Sequence, residues 1–327
     1  MTLILALFAA AVGLALGLAA CSRGEPHASA ALPLAPVASP ASATSTSPDA
    51  PIEVTDDAGR LLRLARPARR IVAVSPHITE LLFAAGAGAA VVGVDAWSDY
   101  PAAARNLPRV GDLHALDLER IVALKPDLLV VWGHGNSQRQ LEVLSALGLP
   151  YYIDEPRRLA DIPRSLERLG RLAGQAEQAA AEAARLRAEL ARLAEAARGQ
   201  APVTVFYQVW NEPLLTLNDQ TLIGDVIRLC GGHNIFGRLP MQAPQVGVEA
   251  VIEADPEVIV AAGFGAAVPV DSDPAFAPWL RWPQLKAMRR GQFVSLPDDL
   301  ISRQGPRIVE GARALCGALA QARAHQH

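Results

Sequence analysis

Aromatic and histidine side chains follow the ends of short apolar runs: Trp97 and Tyr100 in AWSDYP, Trp132 and His134 in VVWGHGN, and Trp210 in VWNEPLL. An aromatic ring offers a wide contact face and loses few rotamers on ordering, so several in loops suit a large, flat, partly apolar ligand. Their structural alternative is to plug the ends of a sheet. His77 and His134 occupy loops of the same kind. Two imidazoles among tryptophans fall short of the three or four converging ligands that a bare transition-metal site needs, so no metal site is expected. His77 follows Pro76 and equally fits a helix start. The chain carries no G-x-S-x-G elbow, phosphate-binding loop, H-E-x-x-H or dinucleotide fingerprint, and it reads as a binder without catalytic residues or cofactor.

Two acids have a different logic. Residues 118–135 (LERIVALKPDLLVVWGHG) align with 248–265 (VEAVIEADPEVIVAAGFG) at one constant offset, which carries Glu119 onto Glu249, Pro126 onto Pro256, and Gly133 and Gly135 onto Gly263 and Gly265. The chain therefore holds two related units. Glu119 and Glu249 open equivalent helices, where a carboxylate is favoured by the helix dipole. As a symmetric pair on the surface they also suit docking onto two equivalent basic pockets of a dimeric partner, a role that sets orientation and association rate.

The elements that must position these residues follow from periodicity. Ile52–Leu64 reads as a hairpin turning at Asp57-Ala58-Gly59, and 70–75, 91–95, 128–132 and 151–154 read as strands. Helices are expected from Pro76 to Ala85, from Leu118 to Leu124 and over 138–147, with Gly86 and Gly148 as stops. The alternation predicts a parallel sheet covered by helices, and it resumes with a strand over Val203–Gln208. Between the units, 159–198 keeps a helical spacing of Leu, and an unbroken helix from Asp161 would reach about 57 Å, with Gly170 and Gly174 as points of bending. Its stripe is short and diluted with Ala for a coiled-coil dimer, so a monomer is expected. The fold expectation is α/β: two Rossmann-like lobes, residues 52–160 and 201–327, joined by a backbone helix over 161–200, with a ligand cleft at the carboxyl ends of the strands and modest closure on binding.

Length and composition agree. The chain has 327 residues, enough for two domains, and a formal net charge of -3, which gives no electrostatic case for nucleic acid. Residues 1–20 form an apolar leader with no Lys or Arg, ending in Leu18-Ala19-Ala20 before Cys21. Small residues before a thiol resemble a bacterial lipobox, so Cys21 is a candidate for lipidation; a plain membrane anchor is the alternative, and either exports the remainder. Residues 21–51, rich in Ala, Ser and Pro, read as a flexible tether. Cys230 and Cys316 remain as an even pair in an oxidising compartment. Bridged, they would close roughly ninety residues, worth on the order of 4 kcal/mol; two buried thiols are the alternative.

The stretches RIVAVSPHITELLFAAG, VVGVDAWSDYP and LERIVALKPDLLVVWGHGNSQRQ, with LIGDVIRLCGGHNIFG, PQVGVEAVIEADPEVIV and GPRIVEGARALCGAL, resemble the periplasmic cobalamin-binding proteins of vitamin importers over about residues 68–322. The resemblance implies a two-lobed carrier that holds a corrinoid as cargo and delivers it to the permease dimer of an ABC importer. It implies a Cys230–Cys316 disulfide, ligand contacts at Trp97 and Trp132, a polar pair Asp299 and Arg303 near the ligand's amide rim, and permease docking by Glu119 and Glu249. Leu113, Leu215 and Ala243 stand where the family places large aromatics, and Trp210 is a candidate to compensate. Haem or a ferric siderophore on the same scaffold is the nearest alternative cargo.

Overall fold

Asp56 organises the first turn. Its Oδ1 accepts the backbone N–H groups of Ala58 and Arg60, and Gly59 takes the left-handed conformation at φ +79°, so β1 (Ile52–Thr55) and β2 (Leu61–Leu64) close as the expected antiparallel hairpin. The structure, a computed structural model, describes residues 51–263 and 272–325. The leader, Cys21, all but the last residue of the tether, and Gly265 lie outside them.

Four short apolar runs then form a parallel sheet: β3 (Ile71–Ala73), β4 (Val91–Val94), β5 (Leu128–Trp132) and β6 (Tyr151–Asp154), in the order β4-β3-β5-β6. Helices α1 (Pro76–Ala84), α2 (Leu118–Ala123) and α3 (Gln138–Ala146) cover it. Both faces are buried, and alternation along β5 divides its side chains: Leu128 and Val130 enter the core shared with α1, whereas Leu129 and Val131 pack with Ile121 and Leu144.

The second lobe repeats the plan. Its strands β7 (Val203–Gln208), β10 (Gly232–Asn234), β11 (Val258–Gly263) and β12 (Phe293–Pro297) lie in the order β10-β7-β11-β12, the counterpart of the first sheet. A small hairpin, β8 (Trp210–Asn211) and β9 (Leu214–Leu215), follows β7. The helices are α6 (Leu222–Leu229), α7 (Val248–Ala254), α8 (Lys286–Arg289), α9 (Asp298–Ile301) and α10 (Ile308–Ala324). The repeat extends to backbone detail. Lys125 and Asp255, each before its proline, both adopt positive φ. The N–H of Asp127 donates to the Arg70 carbonyl as that of Glu257 does to Thr204, and both carboxylates accept N–H groups at the start of the neighbouring strand.

The connector corrects one expectation. Residues 161–197 are not one rod but two helices, α4 (Asp161–Leu172) and α5 (Ala176–Ala197), turned at Gly174 with φ +71°. They pack side by side, with Glu167 bonded to Arg187 across the pair at 2.6 and 2.9 Å. Gly170 permits the close approach: a Cβ there would stand 2.1 Å from that of Ala179. Only α5, about 33 Å long, is a continuous connector. The buried leucines of α4 and α5 join side chains of both sheets and α10 in one continuous apolar core. This core opposes free hinging. In the second lobe Cys230, at the end of α6, is bonded to Cys316 in α10.

Replacing Gly170 by Ala forces α4 and α5 apart. Although Ala gains helix propensity, we expect a net loss of about 1–3 kcal/mol of stability by urea unfolding. An unchanged midpoint would mean that the pair is not tightly packed.

Candidate functional site

The carboxyl ends of both sheets carry the exposed aromatic rings. Trp97 follows β4 and Trp210 opens β8, at 69% and 62% exposure, with Tyr100 at 45%; they are the only aromatics among the exposed large apolar side chains of the described residues. Trp97 is held from below, because Asp95 accepts its backbone N–H at 2.8 Å. Burial pushes the Asp95 carboxyl up to about 6. Between the lobes lies a cavity of about 320 Å³, lined by Glu155 and Arg157 from the first and by Tyr207, Gln220, Asp298 and Ser302 from the second. It shares Val209 and Ala262 with a cavity of about 680 Å³ beside Trp210, Glu212, Asp273 and Arg281.

Unpartnered buried polar atoms gather at the same rims. Asp95 Oδ2 and Asn136 Nδ2 lie beyond strand ends of the first lobe, and Asp273 Oδ2 lies in the lining of the larger cavity. Buried polar groups are normally bonded, so Asp273 Oδ2 marks a place in that cavity for a ligand group or ordered water.

Several sequence expectations land elsewhere. Trp132 is folded beneath its own loop: Gly135 lies so close that a Cβ would be 1.9 Å from the indole, and Asn136 closes the turn onto the Trp132 backbone. His134 is exposed but tied to Glu155, through its ring at 2.8 Å and its N–H at 2.7 Å. His77 does not face the cleft. It is buried, bonded through Nδ1 to Ser75 Oγ, edge-on to Trp132, and 3.8 Å from Asp154. Asp299 and Arg303 do not pair with each other.

Those two belong to a network centred on Glu80, which sequence reasoning missed. This carboxylate, 1% exposed on α1, accepts Arg307 at 2.9 and 2.7 Å and Arg303 at 3.0 Å, both from the second lobe. Arg303 also reaches Asp99 at 2.7 Å, Arg307 reaches Asp299 at 2.7 Å, and the Arg307 guanidinium covers Tyr100 at 4.1 Å. Burial raises the Asp99 carboxyl, but Arg303 outweighs it and holds the group below the usual range. Bonding to Glu80 raises Arg307 further still. The available signal was a lone acid in the apolar helix PHITELLFA, because a buried carboxylate requires a partner.

Glu119 and Glu249 stand exposed in the first turns of α2 and α7. Each helix leads into a parallel strand from the carboxyl rim, which places both acids around the cleft's end of the molecule.

The family profile described as "Periplasmic binding protein" matches residues 71–300. The chain belongs to this family. Among other periplasmic binding proteins, it is 38% identical to the vitamin B12-binding protein of Yersinia pestis over 256 residues, 78% of this chain and 88% of that one. Its fold matches the crystal structure of the periplasmic vitamin B12 binding protein of Vibrio cholerae at 32% identity and TM-score 0.70, covering 78% of this chain and 98% of that one. A periplasmic heme-binding protein of Roseiflexus matches at 25% identity and TM-score 0.68, over 78% and 99% of the two chains.

The buried His77–Asp154 pair yields a pH prediction. Burial lowers His77 from 6.5 to about 3 and raises Asp154 from 3.8 to about 7. Between about pH 4 and 6.5 the folded pair holds one proton on Asp154, and the unfolded pair holds one on His77, so their pH slopes cancel. In Asp154→Asn, His77 acts unopposed. Its stability is present above pH 6.5 and falls on acidification, by on the order of 1 kcal/mol per pH unit. Urea midpoints at pH 7, 6 and 5 should fall more steeply in the variant; parallel curves would refute the pairing.

Proposed function

We propose that this periplasmic binding protein captures cobalamin or a related corrinoid between its lobes and delivers it to the permease of an ABC importer. The reading is carried by the three exposed aromatic rings at the carboxyl rims, of which Trp210 borders the larger cavity together with Asp273. A corrin offers a broad, partly apolar face with an amide-bearing edge, and this pairing of surfaces suits it. Trp97 and Trp210 supply contact area, while Tyr100, Asp299 and Arg303 form part of the charged rim. Trp132 and His134 act from within the first-lobe wall, since one is packed and the other bound to Glu155. In this reading the corrinoid is cargo, no residue is catalytic, and the lobes comprise 52–160 and 201–327. Cys21 carries lipid, and residues 21–51 tether a monomer to the membrane.

Mixing the purified chain with cobalamin or cobinamide and separating free ligand by gel filtration should give a coloured protein peak. No co-elution with any corrinoid would overturn the assignment. For delivery, Glu119→Lys with Glu249→Lys is expected to abolish uptake while leaving corrinoid affinity within about threefold. Loss of ligand binding in that variant would count against docking.

A further inference from the structure

Among the described residues lining the larger cavity, the buried and half-buried polar side chains are committed, with one exception. Gln208 gives its Nε2 to Asn211 and to the carbonyl of Ala275, and its Oε1 accepts the indole N–H of Trp279. Asn211 gives its Nδ2 to the carbonyl of Pro274 at 3.0 Å. These bonds fix the segment that carries Asp273, and Phe276 and Trp279, both fully buried, anchor it to the core. Asp273 is itself 3% exposed. Its Oδ1 accepts the N–H of Ala275 at 2.9 Å, whereas its Oδ2 has no partner.

The repeat supplies a comparison. Gly133 of the first lobe corresponds to Gly263, and each lies beside an acid: a Cβ at Gly133 would stand 2.7 Å from Glu155 Oε2, and one at Gly263 3.5 Å from Asp273 Oδ2. Glu155 is satisfied, because it takes the ring of His134 at 2.8 Å and the His134 N–H at 2.7 Å. The repeat sets Phe264 in the place of His134, and a phenyl ring has no N–H to give. Gly263 does not adopt positive φ, so its lack of a side chain serves space rather than conformation. Ser295 Oγ, also buried and unpartnered, would stand 3.0 Å from the same Cβ. An acceptor and a hydroxyl flanking one opening match a primary carboxamide, which donates through its NH2 and accepts through its carbonyl.

We propose that Asp273, with Ser295 beside the bare backbone of Gly263, is a ligand-contacting subsite of the second lobe that takes a primary carboxamide and turns away a carboxylate in the same position. The bearer of the amide rests on the corrinoid reading, whereas the preference for a donor over an acceptor rests on Asp273.

The test titrates the full-length chain at pH 7 with three ligands: cobinamide, whose edge carries carboxamides; cobyrinic acid, with carboxylates on the same ring; and haem. Asp273→Asn keeps the shape and, through Oδ1, the bond to Ala275, but turns the free acceptor into a donor. Cobinamide affinity should fall about tenfold, and affinity for cobyrinic acid or haem should rise about threefold or more. Gly263→Ala, which sets a methyl group across the approach, should weaken cobinamide by about the same factor in a chain whose urea midpoint shows it folded. Equal changes for amide and acid ligands in the folded Asn variant, or no change, overturn the proposal and leave Asp273 holding an ordered water only. If Asp273→Asn fails to fold, Gly263→Ala decides, and unchanged cobinamide affinity overturns the proposal. Wild-type chain that ignores cobinamide removes the corrinoid reading; a gain of either carboxylate ligand by the Asn variant then upholds the subsite, and no gain removes it as well.

Discussion

Burying Glu80 obliges the two lobes to meet where they do. An ionised carboxylate with 1% exposure is tolerable only if charged donors surround it, and its donors, Arg303 and Arg307, come from the opposite lobe. Helix α1, the loop to Tyr100 and the segment from Asp299 to Arg307 are consequently fixed against one another. The residues flanking Arg303, Ser302 and Gln304, line the inter-lobe cavity. The position of one wall of that cavity therefore depends on an ion pair formed behind it.

The internal repeat explains why the rest of the site has the form it does. Two sheets of the same strand order, with the same left-handed residue before the same proline, give two equivalent carboxyl rims. Each rim offers aromatic surface and a glutamate at a helix start. The lobes are not equal in how they are braced. The second has a covalent tie from α6 to α10, while the first relies on Asp127 and Asp56 bonding to backbone groups.

Much of this was legible in the residues, for identifiable reasons. The hairpin, the parallel strands and most helix ends rest on local patterns: Gly59 and Gly86 at positive φ, Pro76 at a helix start, apolar runs of strand length. Strand-end position alone did not separate Trp97 and Trp210, which are exposed, from Trp132, which is packed under its own loop. The break at Gly174 was half legible: the glycine allows a bend, but that the chain reverses there depends on the packing of Gly170 on Ala179. The edge-on packing of His77 against Trp132 has no local signature, because tertiary contacts set it. The Glu80 network joins residues more than two hundred positions apart and has no local signature.

The shared core of α4, α5 and α10 bears on the kinetics of a carrier built this way. A receptor that must swing between distant open and closed states loses part of its intrinsic affinity to the fraction of time spent in the wrong one. Here an apolar seam and an ionic clamp both tie the two lobes together. Parting the lobes means exposing that seam and stripping a buried carboxylate of its donors, so any opening of the cavity is charged against the core of the protein itself.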